Sequence, residues 1–377
     1  MSSHVHVSPK DLPRLARKEW FLLASLATCA VFAIWGEPLF GHLSSRPWLI
    51  LLFGWLFAVV LGSALCVVRH ADRLAERLGE PFGTLLLTLS VTSIEVMSIS
   101  AVMLHGANNP TLARDTMFSV VMIVLNGMVG LSLLVGGWRH REQHYNLLGA
   151  NTYIGLIIPL AVLSMLLPNY THTTEGPMLS FRQEDFLIVM SIGLYAAFLA
   201  MQTRSHRNYF AYEKGEAGVV AAHAHGEGPT GWHVAMLLAY MLPVAFLAEQ
   251  LAHPIDYVIE TLHQPAALGG LAMAVLVATP EAIGAVRAAA VNDLQHAVNI
   301  FLGSVLSTIG LTVPAMLLIS HFTGHPMILG LQGTDSLMLL LTLAVSVVTF
   351  ASGRTNALQG GVHFLLFLAY ILLIVEN

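Results

Sequence analysis

The sequence predicts an all-α integral membrane protein with eleven transmembrane helices, one leading helix followed by two inverted five-helix repeats. Three observations carry this reading. Of 377 residues, 56% are hydrophobic and only 10% charged, against about 25% charged in soluble domains. Eleven apolar stretches approach or reach the roughly 20 helical residues needed to cross a hydrocarbon layer about 30 Å thick. The basic residues, finally, concentrate in alternate connections between those stretches.

The chain opens with MSSHVHVSPKDLPRLARKEW, which is polar and basic for longer than a signal peptide allows. No small-residue cleavage site follows the first apolar run, so residues 20–40 are read as a retained helix within a leading segment 1–47. Spans over 48–68, 82–104, 116–137, 147–167 and 184–203 make a first repeat, 48–203. A hydrophilic linker, 204–231, leads to spans 232–252, 266–290, 295–320, 335–351 and 358–375, the second repeat, 232–377. The tenth span is the shortest, and the polar run Ser352-Gly353-Arg354-Thr355-Asn356 ends it.

Charge tests the count. Lys10, Arg14, Arg17 and Lys18 precede the first span, and Arg69, Arg73, Arg77, Arg139, Arg141, Arg204, Arg207, Lys214, Arg287 and Arg354 lie in alternate connections after it. Of the 17 Lys and Arg, only Arg46, Arg114 and Arg182 fall on the other side. The positive-inside rule then puts the N-terminus in the cytoplasm and the C-terminus outside. One span more or fewer would scramble the alternation.

The net charge of −5 is thinly spread and no basic run suggests nucleic acid. Cys29 and Cys66 both lie in apolar stretches, where they read as small buried hydrophobes and not as a disulfide framework. The linker holds His206, His223 and His225 with Glu213, Glu216 and Glu227. Without ordered ligand spacing it reads as a solvated Gly-rich connection, not as a cation sensor.

Two glutamates stand out. Glu95 and Glu281 each sit mid-way along an apolar span, where a carboxylate costs about 2.5–3.5 kcal/mol or more and marks an ion or proton path. Thr92-Ser93-Ile94-Glu95 and Ala278-Thr279-Pro280-Glu281 read as two versions of one motif: a hydroxyl, one residue, then the acid. The topology runs these helices in opposite directions, the mark of inverted repeats with a shared site near the midplane. Thr84, Thr88, Thr92, Glu95 and Ser98 form one polar stripe. Thr84 and Thr88 are explained by bonds to their own i−4 carbonyls, whereas Thr92, Ser93 and Glu95 read as functional. Pro280 removes a backbone donor beside Glu281 and is expected to break the helix and free carbonyls around Val277.

Each motif helix is followed by a second one rich in small residues. The first carries Asn126, Gly127 and Gly130; the second carries Asn299, Gly303, Ser304, Ser307, Thr308 and Gly310. Close helix packing accounts for the glycines. An amide at mid-membrane needs partners, which makes Asn126 a candidate oxygen ligand.

These elements resemble the α-repeats of the cation/Ca²⁺ exchanger superfamily, in particular its bacterial Ca²⁺/H⁺ antiporters of the ChaA type. The resemblance spans about Gly83 to Gly137 and Gly269 to Pro314. Gly303-Ser304-Val305-Leu306-Ser307-Thr308 fits a Gly-Ser-x-x-Ser-Asn-like pattern, with Thr308 where Asn is often found. The first repeat keeps Asn126 but has Val121-Met122 in place of Gly-Ser. The resemblance implies alternating access, with Glu95 and Glu281 as ligands of the transported metal. It adds Thr92, Ser93, Thr279, Asn126, Ser304 and Thr308 as further cation- and proton-binding candidates. Ca²⁺ suits such oxygens, and two carboxylates in one low-dielectric site favour bound protons when the metal leaves. The implied activity is exchange of Ca²⁺, with Na⁺ or K⁺ as further cargo, for protons across a bacterial inner membrane, with no cofactor. A monovalent cation/proton antiporter is the nearest rival. The chain has no His-Glu-x-x-His, no Gly-x-Ser-x-Gly and no paired aspartates in facing spans, which disfavours an enzyme.

Overall fold

The computed structural model describes residues 19–79, 82–105, 110–174, 176–210 and 229–376. Among them, ten helices are long and apolar enough to cross a membrane, and Gly333–Thr349 is a shorter apolar helix. In chain order the elements are α1 (Trp20–Phe40), α2 (Arg46–Leu78), α3 (Phe82–His105), α4 (Leu112–Met122), α5 (Val129–His140), β1 (Glu142–His144), α6 (Leu147–Ala161), α7 (Phe181–Ala200) and α8 (Arg207–Phe210). There follow α9 (Thr230–Asp256), α10 (Ala266–Ala290), α11 (Leu294–Ser307), α12 (Val313–Thr323), α13 (Gly333–Thr349), β2 (Arg354–Asn356) and α14 (Ala357–Glu376). A π-turn, Ile123–Met128, joins α4 to α5, and another, Thr308–Thr312, joins α11 to α12.

Local chemistry sets many of these ends. Asn146 caps α6 by accepting from the amides of Leu148 and Gly149, and Asp293 caps α11 by accepting from His296. Ser180 and Gln183 form a capping box at the start of α7. Gly324 ends α12 in the left-handed region, φ 72°, which glycine adopts without strain. In α1 the proline at 38 drives Trp35 out of helical geometry, to φ −120° and ψ 16°.

The chain packs as two compact units, and each draws on both halves of the sequence. The first comprises the described residues of Met1–Ala101 and Glu213–Tyr257; the second those of Val102–Tyr212 and Val258–Asn377.

In the first unit α2 packs along α9, with α1 against both. A buried stripe of Leu52, Leu56, Val60, Val67, Ala71 and Leu74 faces inward on α2, spaced by the helical three- and four-residue steps. Ser25 and Ser63 hydrogen-bond across α1 and α2 at 2.9 Å. One end of the unit is polar. Glu19 accepts from Arg69 at 2.5 Å and from Tyr240 at 3.0 Å, and His70 meets His233 at 2.9 Å between their Nδ1 atoms. At the other end Phe40 stacks on His253, ring centroids 4.1 Å apart.

The second unit is built around α4–α5, α10 and α11. The spans Leu112–His140 and Leu294–Thr323 are the most buried of the ten among the described residues. Close approaches explain its glycines. A Cβ on Gly130 would lie 2.6 Å from the Phe364 backbone nitrogen, and one on Gly360 equally close to that of Leu134, so α5 and α14 meet backbone to backbone.

The connections of this unit gather in two sets, as the charge alternation requires. At one end β1 pairs antiparallel with β2, Glu142 opposite Asn356. Gln143 donates to Ala289 O at 2.8 Å, and the Asn146 amide to Gln295 Oε1 at 2.6 Å. Here Tyr145 accepts from the Gly353 amide and donates to Thr349 O, and burial pushes its hydroxyl up to about 12. At the other end the Ile328 amide donates to Pro110 O and that of Gly330 to Pro177 O. Arg114 also reaches Gly330 O, at 2.9 Å, while paired at 2.7 Å with Asp115. Both charges of that pair are buried, so Arg114 acts as a structural partner and not as a solvated loop charge.

Candidate functional site

Glu95 stands just past the middle of α3, only 2% exposed. One turn either side of it, at i−3 and i+3, are Thr92 and Ser98, both buried. Neither Thr92 Oγ1 nor Ser98 Oγ has a hydrogen-bond partner among the described residues. Buried hydroxyls are nearly always satisfied, and leaving one unpaired costs about 1–3 kcal/mol. A carboxylate flanked on its own face by two such oxygens is a donor set for a hard cation. Ser98, part of the polar stripe but not singled out as a ligand, thus joins the candidates on geometry.

Ser93 behaves differently. Its hydroxyl donates at 2.6 Å to the carbonyl of Leu89, one turn back. Thr279, its counterpart two residues before the second glutamate, donates in the same way to Val275 O. Both motif hydroxyls are therefore turned onto their own helices.

On α10, Glu281 accepts a short hydrogen bond from Ser304 of α11. This bond joins the motif glutamate to the serine of Gly303-Ser304, so two candidates are brought into direct contact. Ser307 donates to Ser304 O at 2.9 Å, and Thr308, buried, opens the π-turn Thr308–Thr312. Pro280, expected to break the helix, lies inside an α10 that runs uninterrupted from Ala266 to Ala290. Its effect is confined to one missing amide, which leaves Leu276 O without its usual i+4 donor. The helix tolerates this because α4, α5 and α11 hold it on several sides.

Asn126 is fully buried inside the π-turn Ile123–Met128. Its amide nitrogen donates to Thr342 of α13 at 2.8 Å, and its oxygen lies 3.4 Å from His363 Nδ1 of α14. The sequence reading missed both partners. Thr342 carries no signal, but His363 is a single histidine in an apolar span, a pattern that marks function by default. Of the linker residues, His206 packs on Tyr209; His223, His225, Glu213, Glu216 and Glu227 lie outside the described residues, as do Lys10, Arg14, Arg17 and Lys18.

The second helices of the two motifs share a feature that also occurs at Val162–Leu166, Met201–Ser205 and Tyr257–Thr261. Each carries a π-turn, with Asn126 in one and Thr308 opening the other. π-turns concentrate at functional positions because they release backbone groups from the regular ladder.

Comparison with known proteins gives the family and the fold. Residues 48–204 and 232–375 match the family described as sodium/calcium exchanger protein. The chain is 36% identical over 370 residues to the sodium-potassium/proton antiporter ChaA of Escherichia coli (strain K12), covering 97% of this chain and 98% of that one. It is 39% identical over 376 residues to the putative ionic transporter y4hA of Sinorhizobium fredii (strain NBRC 101917 / NGR234), covering 99% of each. Its fold matches the crystal structure of the selenium-substituted Ca²⁺/H⁺ antiporter protein YfkE with a TM-score of 0.70, at 20% identity, over 95% of this chain and 100% of that one.

Proposed function

The chain belongs to the sodium/calcium exchanger family, and from that premise we propose that it is a secondary antiporter exchanging Ca²⁺ for protons, with Na⁺ or K⁺ as further cargo. The observation that carries this is the pair of glutamates inside apolar spans, Glu95 buried beside two hydroxyls without partners among the described residues and Glu281 bonded to Ser304. In this reading Glu95 and Glu281 bind metal when ionised and protons when it leaves. Thr92, Ser98, Ser304, Thr308 and Asn126 add neutral oxygens, which a cation needing six to eight ligands requires. Ser93 and Thr279 act at one remove by occupying the Leu89 and Val275 carbonyls, and Pro280 keeps Leu276 O available. A divalent ion replacing two protons leaves the protein's charge unchanged, which makes the exchange electrically simple.

The same reading takes residues 48–203 and 232–377 as inverted repeats that alternate access. It places the N-terminus in the cytoplasm and the protein in the inner membrane of a bacterium. A second reading, exchange of Na⁺ or K⁺ alone for protons, is favoured by the name of the Escherichia coli relative.

Proteoliposomes with an imposed pH gradient separate these. Proton flux should follow addition of Ca²⁺, and of Na⁺ or K⁺ in separate trials, and be lost in Glu95→Gln and Glu281→Gln, which keep the side-chain shape without a charge. Flux with the monovalent ions only would establish the second reading. Normal Ca²⁺/H⁺ exchange in either variant would remove that glutamate from the site.

A further inference from the structure

α14 is a 20-residue apolar helix with one histidine in its interior, His363, 0% exposed. The hydrogen bonds around it fit one arrangement of protons with the amide oriented as it stands. The Thr342 hydroxyl points at Met122 Sδ, 3.6 Å away, so its oxygen accepts from Asn126 Nδ2 at 2.8 Å. That turns Asn126 Oδ1 towards His363, whose Nδ1 must then be the donor. Nε2 is left to accept from Thr349 Oγ1 at 2.9 Å. In this arrangement the ring is neutral, with its proton on Nδ1.

The contact falls on the π-turn itself. In a regular helix the Val129 amide would bond to Leu125 O, whereas here it bonds to Val124 O and Asn126 O. The ring reaches Asn126 because Gly130 and Gly360 let α14 and α5 touch along their backbones.

We propose that His363 is a positioning residue: it fixes the direction of the Asn126 amide within the π-turn Ile123–Met128. The inference deepens the proposed function, since Asn126 is there an oxygen ligand for the cation. Outer partners that orient ligands typically alter metal affinity 10–100-fold when removed. The role is geometric. His363 neither touches the cargo nor carries its proton.

Full-length protein in proteoliposomes, with Ca²⁺ or Na⁺ as probe, tests it. Asparagine places an amide nitrogen near the position of Nδ1, whereas leucine offers no donor. His363→Leu should raise KM for the cation about tenfold and change the maximal rate less than about twofold, and His363→Asn should recover most of the loss. Equal losses in the two variants, or an unchanged KM in His363→Leu, would overturn the proposal. Two measurements do not depend on transport. The ¹⁵N spectrum of His363 in the wild-type protein should show the neutral Nδ1–H tautomer; the Nε2–H tautomer would contradict the network outright. Amide exchange over residues 124–129 should quicken about tenfold in His363→Leu and return towards wild type in His363→Asn. If the wild type transports nothing, the exchanger reading falls, and the tautomer and amide exchange still decide the role of His363.

Discussion

On α3, two buried hydroxyls flank Glu95 without partners among the described residues, and at about 1–3 kcal/mol each this is a sizeable cost for a fold to carry. In the proposed reading a bound cation offsets that cost. Thr92→Val and Ser98→Ala should therefore leave thermal stability unchanged or raised while increasing KM for the cation several-fold. Melting curves and vesicle uptake on the same preparations check this; destabilised variants with normal KM would make the hydroxyls structural. Ser93 and Thr279 differ, because their bonds to Leu89 and Val275 are already made. Glu95 and Glu281 are legible in the sequence because charge is so scarce in the spans that each stands alone. Ser98 is visible there only as part of a stripe. The partners of Asn126 are not legible at all: Thr342 and His363 follow it by 216 and 237 residues, and no local pattern reports such a pairing.

At the scale of elements, the spans are legible to within a few residues, because lipid demands unbroken apolar runs and polar residues punctuate them. The largest departure is α2, which runs to Leu78, ten residues past the expected end of its span. Charges at Arg69, Asp72, Arg73, Glu76 and Arg77 end the apolar run. The inward stripe nevertheless continues through Ala71 and Leu74 against α9, so packing carries the helix on. The π-turns leave no sequence signature, since an extra residue in a helix changes hydrogen bonding and not composition. Glycines, by contrast, are legible as contact points but not in rank. Gly130 faces the backbone of Phe364, which cannot yield, with a Cβ 2.6 Å from its nitrogen. Gly127 faces only the ring of Phe367, at 3.2 Å. Gly130→Ala should cost most of the folded yield, and Gly127→Ala little, as size-exclusion profiles of detergent-solubilised protein will show. Similar yields for the two would mean that α14 shifts freely on α5.

At the scale of the whole molecule, the charge alternation is legible because each connection must stay on its side, and the two sets of loop contacts in the second unit obey it. The compact units are not legible: each is assembled from both sequence halves, and such packing has no trace in composition. What the whole molecule does to charge gives the sharpest remaining test of cargo. Ligand carboxylates must lose their protons before they bind a metal, so metal affinity rises with pH by one decade for each proton released. If both Glu95 and Glu281 bind a proton in the metal-free protein, Ca²⁺ displaces two, and its affinity should rise by about two decades per pH unit over the range in which both are protonated. A monovalent cation exchanging for one proton should give about one decade per unit. Above that range both curves should flatten, because no proton is left to displace. Either glutamate replaced by Gln should lower the Ca²⁺ slope to about one, since a single titrating carboxylate then remains. Titration of Ca²⁺ and Na⁺ binding across roughly pH 5–9, in wild type and both variants, reads this directly, with the slope counting the protons. An affinity independent of pH over that whole range would rule out competition between protons and cation for these carboxylates, whatever ion proved to be carried.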